Sequence, residues 1–473
     1  MIIKNEHSAV SPYLKDASNF PGSNADAVVI PETTEELVAF LKDNDQPVTL
    51  SGARTGLTAS GIPLSGLVVS LEKFRQLEGP DAQGKLRCGP AVRLREIQEH
   101  LKGSGWFYPP NPTEALASVG GTVATNASGS RSYKWGATRN YIEELEIVLV
   151  DGRRATVRRG QSTRDPLVFD DGSRIIFPEI AYTSPDCKNA AGFFVRPGMD
   201  WLDLFVGSDG TLCLFTRIQL KLLPDPADFL SGILFFKTEE ACWDLVEALR
   251  SSDEEHIRPC ALEYFDRYSL SRLKTEFPTL PSFAQAALFF EQDVPDEDAF
   301  DAFLESWYEF LESREVDLDA SWFSQSPADL EKFHEFRHRV PLIINEENSR
   351  NNRMKMGTDM AVPDSRFQDM MRYYRAALEE AGMPYVVFGH IGDNHLHINL
   401  MPPANQRERA LAVYDRLVTW ILQNGGTVSA EHGIGKIKKD YYRRMVGAET
   451  LDQLIQIKRC FDPRGLLGQG NLF

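Results

Sequence analysis

The chain has 473 residues, of which 42% are hydrophobic, and carries a formal net charge of −17. At ~100–200 residues per domain, this length is sufficient for three structural units with large cores. The negative charge argues against nucleic acid as a partner, and an anionic substrate would need a local cluster of Arg or Lys. The six cysteines form no CxxC pair, so we expect reduced thiols. The amino terminus lacks the apolar run of a signal peptide and no segment is apolar enough to span a membrane, so we expect a cytoplasmic protein, at most peripheral to a membrane.

The first 226 residues alternate strand-like apolar runs with stretches rich in Gly, Ser and Thr. Residues 28–42 predict a strand followed by a helix, and the run Leu145–Val150 predicts a further strand. Pro224 and Pro226 interrupt this pattern. We therefore expect a first domain over residues 1–226.

The rest of the chain has a different pattern. Within residues 227–429, the strand-like runs SGILFFK and ALFFEQ alternate with charged amphipathic helices, which predicts an antiparallel sheet covered by helices on one face. Residues 430–473 predict one main helix, ETLDQLIQIKRCF, and a Gly-rich tail. The expected fold class is α+β.

Three small-residue loops in the first domain are the first chemical signal. Glycine lets the backbone approach a ligand closely, and amide N–H groups and hydroxyls bind phosphate oxygens. Each loop alone is more simply a turn, but three in one domain favour a phosphate-containing ligand. They match neither the GxGxxG dinucleotide motif nor the GxxxxGK[ST] loop. The loops are SGARTG (51–56), VGGTVATNASG (119–129) and GSDGT (207–211).

The histidine-rich segment 388–400 is the second chemical signal. Strand alternation from His395 onwards places His395, His397 and Asn399 on one face, opposite Leu396 and its apolar neighbours. A turn at Gly392-Asp393 would bring His390 back towards His397.

A carboxylate and a further imidazole, Glu431 and His432, follow in the run SAEHG. Two His and one Glu with an open position suit a catalytic zinc, with manganese or iron as alternatives. For any single histidine, a hydrogen-bonded structural role is the simpler interpretation. The clustering of four histidines beside acids favours a metal site.

These motifs together resemble FAD-binding proteins of the vanillyl-alcohol-oxidase type, and within them the D-lactate, D-2-hydroxyglutarate and glycolate dehydrogenase branch. The resemblance extends over nearly the whole chain. It implies a two-part FAD-binding domain of the PCMH type over 1–226, a substrate-binding cap over 227–429, and a C-terminal helical segment over 430–473 that completes the active site. The segments that carry it are PETTEELVAFLK, PVTLSGARTGLTASG, PPNPTEALASVGGTVATNASGSRSYKWGATRNYI, GSDGTLCLFT and KRCFDPRGLLGQG.

The resemblance also implies which residues contact the cofactor. The first loop contains neither His nor Cys for covalent attachment, so we expect dissociable FAD. The chain departs from the family pattern at Cys213, where Gly is usual, and in the tail LGQG, where LNPG is usual. The expected FAD contacts are Ser51, Gly52, Ala53, Arg54, Thr55, Gly56, Pro110, Thr113, Ser118, Gly121, Thr125, Asn126, Ser128, Gly129, Ile142, Gly207, Gly210 and Thr211.

Carried onto this chain, the same resemblance makes His390, His397 and Glu431 metal ligands, and His432 the catalytic base. It makes Asn399 either a substrate contact or a residue that contacts the metal ligands without binding the metal. His395 stands where the family often has Asn, and the resemblance gives it no role.

The substrate carboxylate needs a cation, and the resemblance assigns Arg337, whose planar guanidinium binds two oxygens at once. The alternative is a solvated helix-surface Arg in HEFRHR. The family motif Lys-x-Asp-x-x-x-Pro aligns without gaps so that Gly357 takes the Lys position. Lys355, two residues earlier, is then the candidate for a second substrate cation.

These parts predict FAD-dependent oxidation of a D-2-hydroxy acid, with D-lactate favoured, to the 2-oxo acid with divalent-metal assistance. D-2-hydroxyglutarate and glycolate are alternative substrates, and an electron-transfer flavoprotein, a quinone or a cytochrome is the expected electron acceptor. The oligomeric state, including a homodimer, stays open. A metal-dependent hydrolase without flavin, or a related flavoprotein that oxidises phenols or sugars or makes ether lipids without a metal, is the alternative function.

Overall fold

The computed structural model describes residues 1–314, 316–351 and 356–473. It combines helices with mixed and antiparallel sheets, as the α+β prediction requires. All six cysteines are free thiols, and four of them are buried. In the described parts of the chain, no helix has both the length and the apolar character that a membrane crossing requires.

Two sheets form the amino-terminal part. In the first, Leu67–Ser70 pairs in parallel with both of its neighbours, and the helix Thr34–Asp43 connects two of the strands. The four strands are ordered Ile2–Lys4, Ala27–Ile30, Leu67–Ser70 and Val48–Ser51. The second sheet is antiparallel and is ordered Leu77–Glu78, Lys85–Cys88, Leu214–Lys221, Ile142–Val148 and Arg154–Arg158. Two further short antiparallel pairs are Trp106–Phe107 with Leu223–Pro224, and Leu167–Val168 with Arg174–Ile175.

The second glycine-rich stretch differs from the prediction, because its first part is a helix, Val119–Thr125, rather than a loop. A β-carbon on Gly120 would lie 2.6 Å from Cβ of Pro90, so the small residues let this helix pack closely. The helix ends at Asn126, which has the left-handed φ of 49°. The other helices of this part are His7–Val10, Leu94–Leu101, Ser132–Trp135 and Trp201–Phe205.

An eight-stranded antiparallel sheet forms the cap. Its strands are Trp322–Phe323, Asp228–Phe236, Ala286–Val294, Ala261–Asp266, Tyr385–Gly389, His395–Leu400 and Met356–Gly357 in order, with Met360–Ala361 also pairing with His395–Leu400. The helices of the cap are Glu239–Arg250, Arg267–Leu273, Phe300–Glu312, Pro327–Arg350, Phe367–Ala381 and Arg407–Gln423.

Helices cover both faces of this sheet, so the expectation of one covered face was wrong. Phe235 and Phe289 pack in one buried cluster, whereas Phe236 and Phe290 pack in another on the opposite face. Nearly continuous apolar runs such as ALFF are what burial on two faces requires.

The C-terminal segment contains two helices, Lys439–Val446 and Ala448–Phe461, rather than one main helix. Gly447, with a φ of 78°, separates them. The chain then returns to the first sheet, where the N–H of Val48 donates to the carbonyl of Leu466 at 2.8 Å. This return places the end of the chain against the strand that precedes the first glycine-rich loop.

Candidate functional site

A cleft of about 1640 Å³ lies between the amino-terminal sheets, the cap and the C-terminal segment. It brings together most of the residues that the sequence assigned to FAD. The assigned residues in its lining are Ser51, Gly52, Ala53, Arg54, Thr55, Gly56, Thr113, Ser118, Gly121, Thr125, Ser128, Gly129 and Gly210.

Five assigned residues lie outside this lining, namely Pro110, Asn126, Ile142, Gly207 and Thr211. Their contacts hold the loops in shape. The side-chain oxygen Oδ1 of Asn126 accepts the backbone N–H of Arg139, and the hydroxyl of Thr211 donates to the Ser208 carbonyl at 2.7 Å. That they contact the cofactor stays a prediction.

The glycine-rich wall fits a phosphate-containing cofactor. The hydroxyl of Ser51 is buried and has no hydrogen-bond partner among the described residues. A β-carbon on Gly52 would lie 2.9 Å from Oγ of Ser118, and one on Gly129 would lie 2.3 Å from the Asn111 carbonyl oxygen. The wall therefore offers an unpaired hydroxyl and close backbone, as binding of a pyrophosphate requires.

The histidine segment folds as the alternation predicted. The strand His395–Leu400 is paired with Tyr385–Gly389, and the tight turn Ile391–Asp393 brings His390 back towards them. The ligand atoms of His390, His395, His397 and Glu431 all lie within 4.8 Å of one another. The three predicted ligands thus converge, and His395 joins them.

Each of the two predicted histidine ligands has a polar partner on its Nδ1 atom. Nδ1 of His397 lies 3.1 Å from the Thr358 carbonyl oxygen, and Nδ1 of His390 lies 2.9 Å from Oε1 of Glu263. Such partners fix the ring and direct the other nitrogen towards a metal. Burial and the nearby His395 lower the pKa of His397 to about 3, so its ring is neutral. Burial alone would lower the pKa of His390, but Glu263 outweighs it and raises that pKa to about 9.

His432 is held by a buried carboxylate that the sequence analysis missed. Nδ1 of His432 lies 2.9 Å from Oδ2 of Asp359, and the N–H groups of residues 430–432 also donate to this carboxylate. Lys438 lies 2.5 Å from the same oxygen. Burial opposes ionisation, yet His432 and Lys438 hold the pKa of Asp359 well below its usual range. The signal in the sequence was the Asp of MGTDMAVP, the Asp of the family motif quoted above.

Arg337 lies on the helix Pro327–Arg350 and lines the cleft. Its side chain is only 11% exposed, so the solvated-surface alternative was wrong. Nη1 of Arg337 lies 3.1 Å from Oε1 of Glu263, the oxygen that also contacts His390. Glu263 was missed because it lies within the apolar strand Ala261–Asp266, where no local pattern marks it.

The two remaining substrate candidates differ in outcome. Asn399 lines the cleft and is paired in register with Gly357 on the neighbouring strand. Lys355 lies outside the described residues.

Lys188 is a further buried cation that the sequence analysis missed. Its Nζ lies 2.6 Å from Oε1 of Glu431 and 2.7 Å from the hydroxyl of Ser132. The hydroxyl of Ser128 also donates to Oε1 of Glu431, at 2.9 Å. Burial opposes ionisation of Glu431, but Lys188 and His390 hold its pKa well below the usual range. Through Glu431, the glycine-rich wall therefore contacts the His/Glu cluster, which consists of His390, His395, His397 and Glu431.

Comparisons with known proteins match this arrangement. The family "FAD binding domain" matches residues 25–158, and "FAD linked oxidases, C-terminal domain" matches residues 226–472. A D-lactate dehydrogenase of Anaerostipes hadrus is 28% identical over 93% of this chain and 88% of its own length. A D-2-hydroxyglutarate dehydrogenase of Stutzerimonas stutzeri is 24% identical over 100% of this chain and 96% of its own length. A solved alkyldihydroxyacetonephosphate synthase has the same fold, with a TM-score of 0.69 over 98% of this chain and 81% of that chain at 14% identity.

Proposed function

The chain belongs to the FAD-linked oxidases and is an FAD-dependent hydroxy-acid dehydrogenase, and on this premise we propose that it oxidises D-lactate to the 2-oxo acid with divalent-metal assistance. The observation that carries the proposal is a single cleft lined by the glycine-rich loops and by His390, His397, Glu431, His432 and Arg337. Oxidation of a 2-hydroxy acid needs a hydride acceptor, a base and a carboxylate anchor close together.

The residues present fit both implied groups. The loop residues that line the cleft would hold FAD, and His390, His397 and Glu431 would hold the metal, with zinc favoured and manganese or iron as alternatives. Bound FAD supplies a hydride acceptor for the hydrogen on the substrate α-carbon. A divalent ion supplies Lewis acidity that lowers the pKa of the substrate hydroxyl.

The side chains of the chain bind the substrate and move its proton. Arg337 binds the carboxylate, and Glu263 holds the guanidinium in place. His432 accepts the hydroxyl proton at Nε2, because its Nδ1–H donates to Asp359. The buried carboxylate of Asp359 then stabilises the imidazolium. Loss of this proton and of the hydride on the α-carbon converts the 2-hydroxy acid into the 2-oxo acid.

The preference for a monocarboxylate rests on charge. Among the described residues of the cap and the C-terminal segment, the Lys and Arg side chains that line the cleft are Arg337 and Lys438. Each is paired with a carboxylate, Glu263 and Asp359 respectively. Once Arg337 binds the first carboxylate, the other of these two cations, Lys438, is held by the buried Asp359, which supports D-lactate over D-2-hydroxyglutarate. Glycolate is the other alternative.

Two further parts of the proposal concern organisation and electron transfer. We propose that residues 1–226 form the FAD-binding domain, 227–429 the cap, and 430–473 a segment that completes the site. The two electrons pass to an external carrier, either an electron-transfer flavoprotein, a quinone or a cytochrome.

The test is anaerobic reduction of the flavin by a panel of D-lactate, L-lactate, glycolate and D-2-hydroxyglutarate, before and after chelation. D-Lactate should bleach the flavin fastest, chelation should slow the bleaching, and added metal should restore it. Acid precipitation should release all of the FAD. A colourless protein would support the metallohydrolase instead, and bleaching that chelation does not affect would remove the metal from the mechanism.

A further inference from the structure

His395 belongs to the His/Glu cluster but has no role in the mechanism above. Its side chain is fully buried, and neither ring nitrogen makes a hydrogen bond of acceptable geometry with any described residue. A buried Nδ1 without a hydrogen-bond partner is unfavourable unless a ligand satisfies it.

The candidate ligand atoms lie close enough together to bind one ion. Nδ1 of His395 lies 3.9 Å from Oε1 of Glu431, which in turn lies 3.2 Å from Nε2 of His390. Ligand atoms about 2.0–2.2 Å from one ion lie at most about 4.4 Å apart. Because all four ligand atoms already lie within 4.8 Å of one another, only small shifts are needed.

The surroundings of the three histidines follow one pattern. Nε2 of His395 lies 3.0 Å from Oδ1 of Asp359, as Nδ1 of His390 faces Glu263 and Nδ1 of His397 faces a backbone carbonyl. Histidines that bind metals typically have such an oxygen on the nitrogen that does not coordinate. The opposite ring nitrogen remains available to bind a metal, and it is Nδ1 in His395 and Nε2 in His390 and His397.

We infer that His395 is a fourth metal ligand through Nδ1, which makes the site one of three imidazoles and one carboxylate. The inference rests on the metal site of the proposed function, and it adds a prediction of which metals that site prefers. Imidazole donors favour zinc or cobalt over manganese, whose preferred ligands are oxygens. Coordination of zinc can expand beyond four ligands, so the substrate still has access to the ion.

The test compares His395→Asn with His100→Asn, a matched loss of an exposed imidazole on the helix Leu94–Leu101. Each flavin-loaded protein is stripped of metal and titrated separately with Zn²⁺, Co²⁺ and Mn²⁺. His395→Asn should lower the zinc and cobalt affinities by at least about 10–100-fold and the manganese affinity less. His100→Asn should leave all three affinities unchanged. Equal affinities in wild type and His395→Asn would overturn the inference.

X-ray absorption of the zinc-loaded wild type gives an answer that does not depend on folding of the variant. Three imidazole ligands are expected. Two imidazoles would leave the proposed function intact and show that His395 is only a hydrogen-bonding partner of Asp359. A flavin-loaded wild type that binds none of the three ions would overturn both the inference and the metal in the proposed function.

Discussion

The two walls of the cleft differ in whether the backbone or the side chains face the cleft. The amino-terminal wall consists of small residues whose backbone comes close to the cleft, and at Gly52 and Gly129 an added β-carbon would meet neighbouring atoms within 3 Å. The cap wall consists of buried ionisable side chains such as Glu263 and Asp359, which are held by His390 and His432 respectively.

This difference separates binding of the cofactor from the chemistry. The backbone-built wall depends on local sterics, so its substitutions should change FAD affinity. The wall built from side chains depends on partners from distant parts of the chain, so its substitutions should change catalysis while FAD stays bound. Four experiments test this separation.

The largest effect is expected for His397→Ala. Loss of a predicted metal ligand should abolish bleaching of the flavin by substrate while the FAD content stays unchanged. Stopped-flow reduction and metal analysis check this result, with His100→Ala as the control. Added metal should rescue a chelated wild type but not the variant, and flavin reduction at the wild-type rate would show that the cluster is structural.

His432→Ala should retain both metal and FAD. Since only the proton acceptor is lost, the reductive half-reaction should slow by about 10²–10⁴-fold. The measurement is the rate of flavin reduction at saturating D-lactate, alongside metal content. A variant that loses its metal would place His432 in the metal site rather than at the base position.

The third prediction concerns the contact between the two parts of the molecule. Arg131 of the amino-terminal part binds the buried Glu291 of the cap sheet, with Nε and Oε2 2.6 Å apart. Burial opposes ionisation, but Arg131 holds the pKa of Glu291 well below its usual range. Because the folded-state pKa is depressed, this stabilisation is complete above the unfolded value of about 4.3 and is lost as the pH falls towards the folded value.

Glu291→Gln should therefore lower the free energy of unfolding at pH 7 by about 3–5 kcal/mol, the cost of breaking a buried pair. The loss of stability in acid should also become less steep. Denaturant unfolding between pH 7 and pH 3 measures both the free energy of unfolding at pH 7 and its dependence on pH. Glu305→Gln, on an exposed position of the helix Phe300–Glu312, is the control. Equal acid sensitivity in wild type and Glu291→Gln would contradict the role given to this pair.

The smallest effect is expected in the backbone-built wall. A β-carbon on Gly129 would lie 2.3 Å from the Asn111 carbonyl oxygen, whereas one on Gly79, an exposed residue outside the cleft lining, would meet nothing closer than 3.5 Å. Gly129→Ala should cost about 1–3 kcal/mol of overpacking in this wall and thereby weaken FAD binding, and Gly79→Ala should not. Reconstituted Gly129→Ala should then be reduced by D-lactate at close to the wild-type rate. Slow reduction at full FAD occupancy would show that the two walls are not separable.

Local patterns in the sequence determined much of this protein. The alternation from His395 to Leu400 fixed which side chains share a face, because successive residues of a strand point to opposite sides. The apolar runs SGILFF and ALFF identified the two long strands of the cap, because a strand that is buried on both faces is apolar at successive positions. The resemblance supplied the likeness to FAD-dependent hydroxy-acid dehydrogenases, which the comparisons confirm.

Only the tertiary structure decided which buried charges meet. Lys188, Glu263 and Asp359 come from three distant segments, and each contacts a residue of the His/Glu cluster or the base. A buried charge is stable only beside a partner, and that partner is chosen by packing of the chain rather than by its neighbours in sequence. The second covered face of the cap sheet, and the meeting of Glu431 with the three histidines, likewise depend on contacts between distant elements, which leave no periodic signal in the sequence.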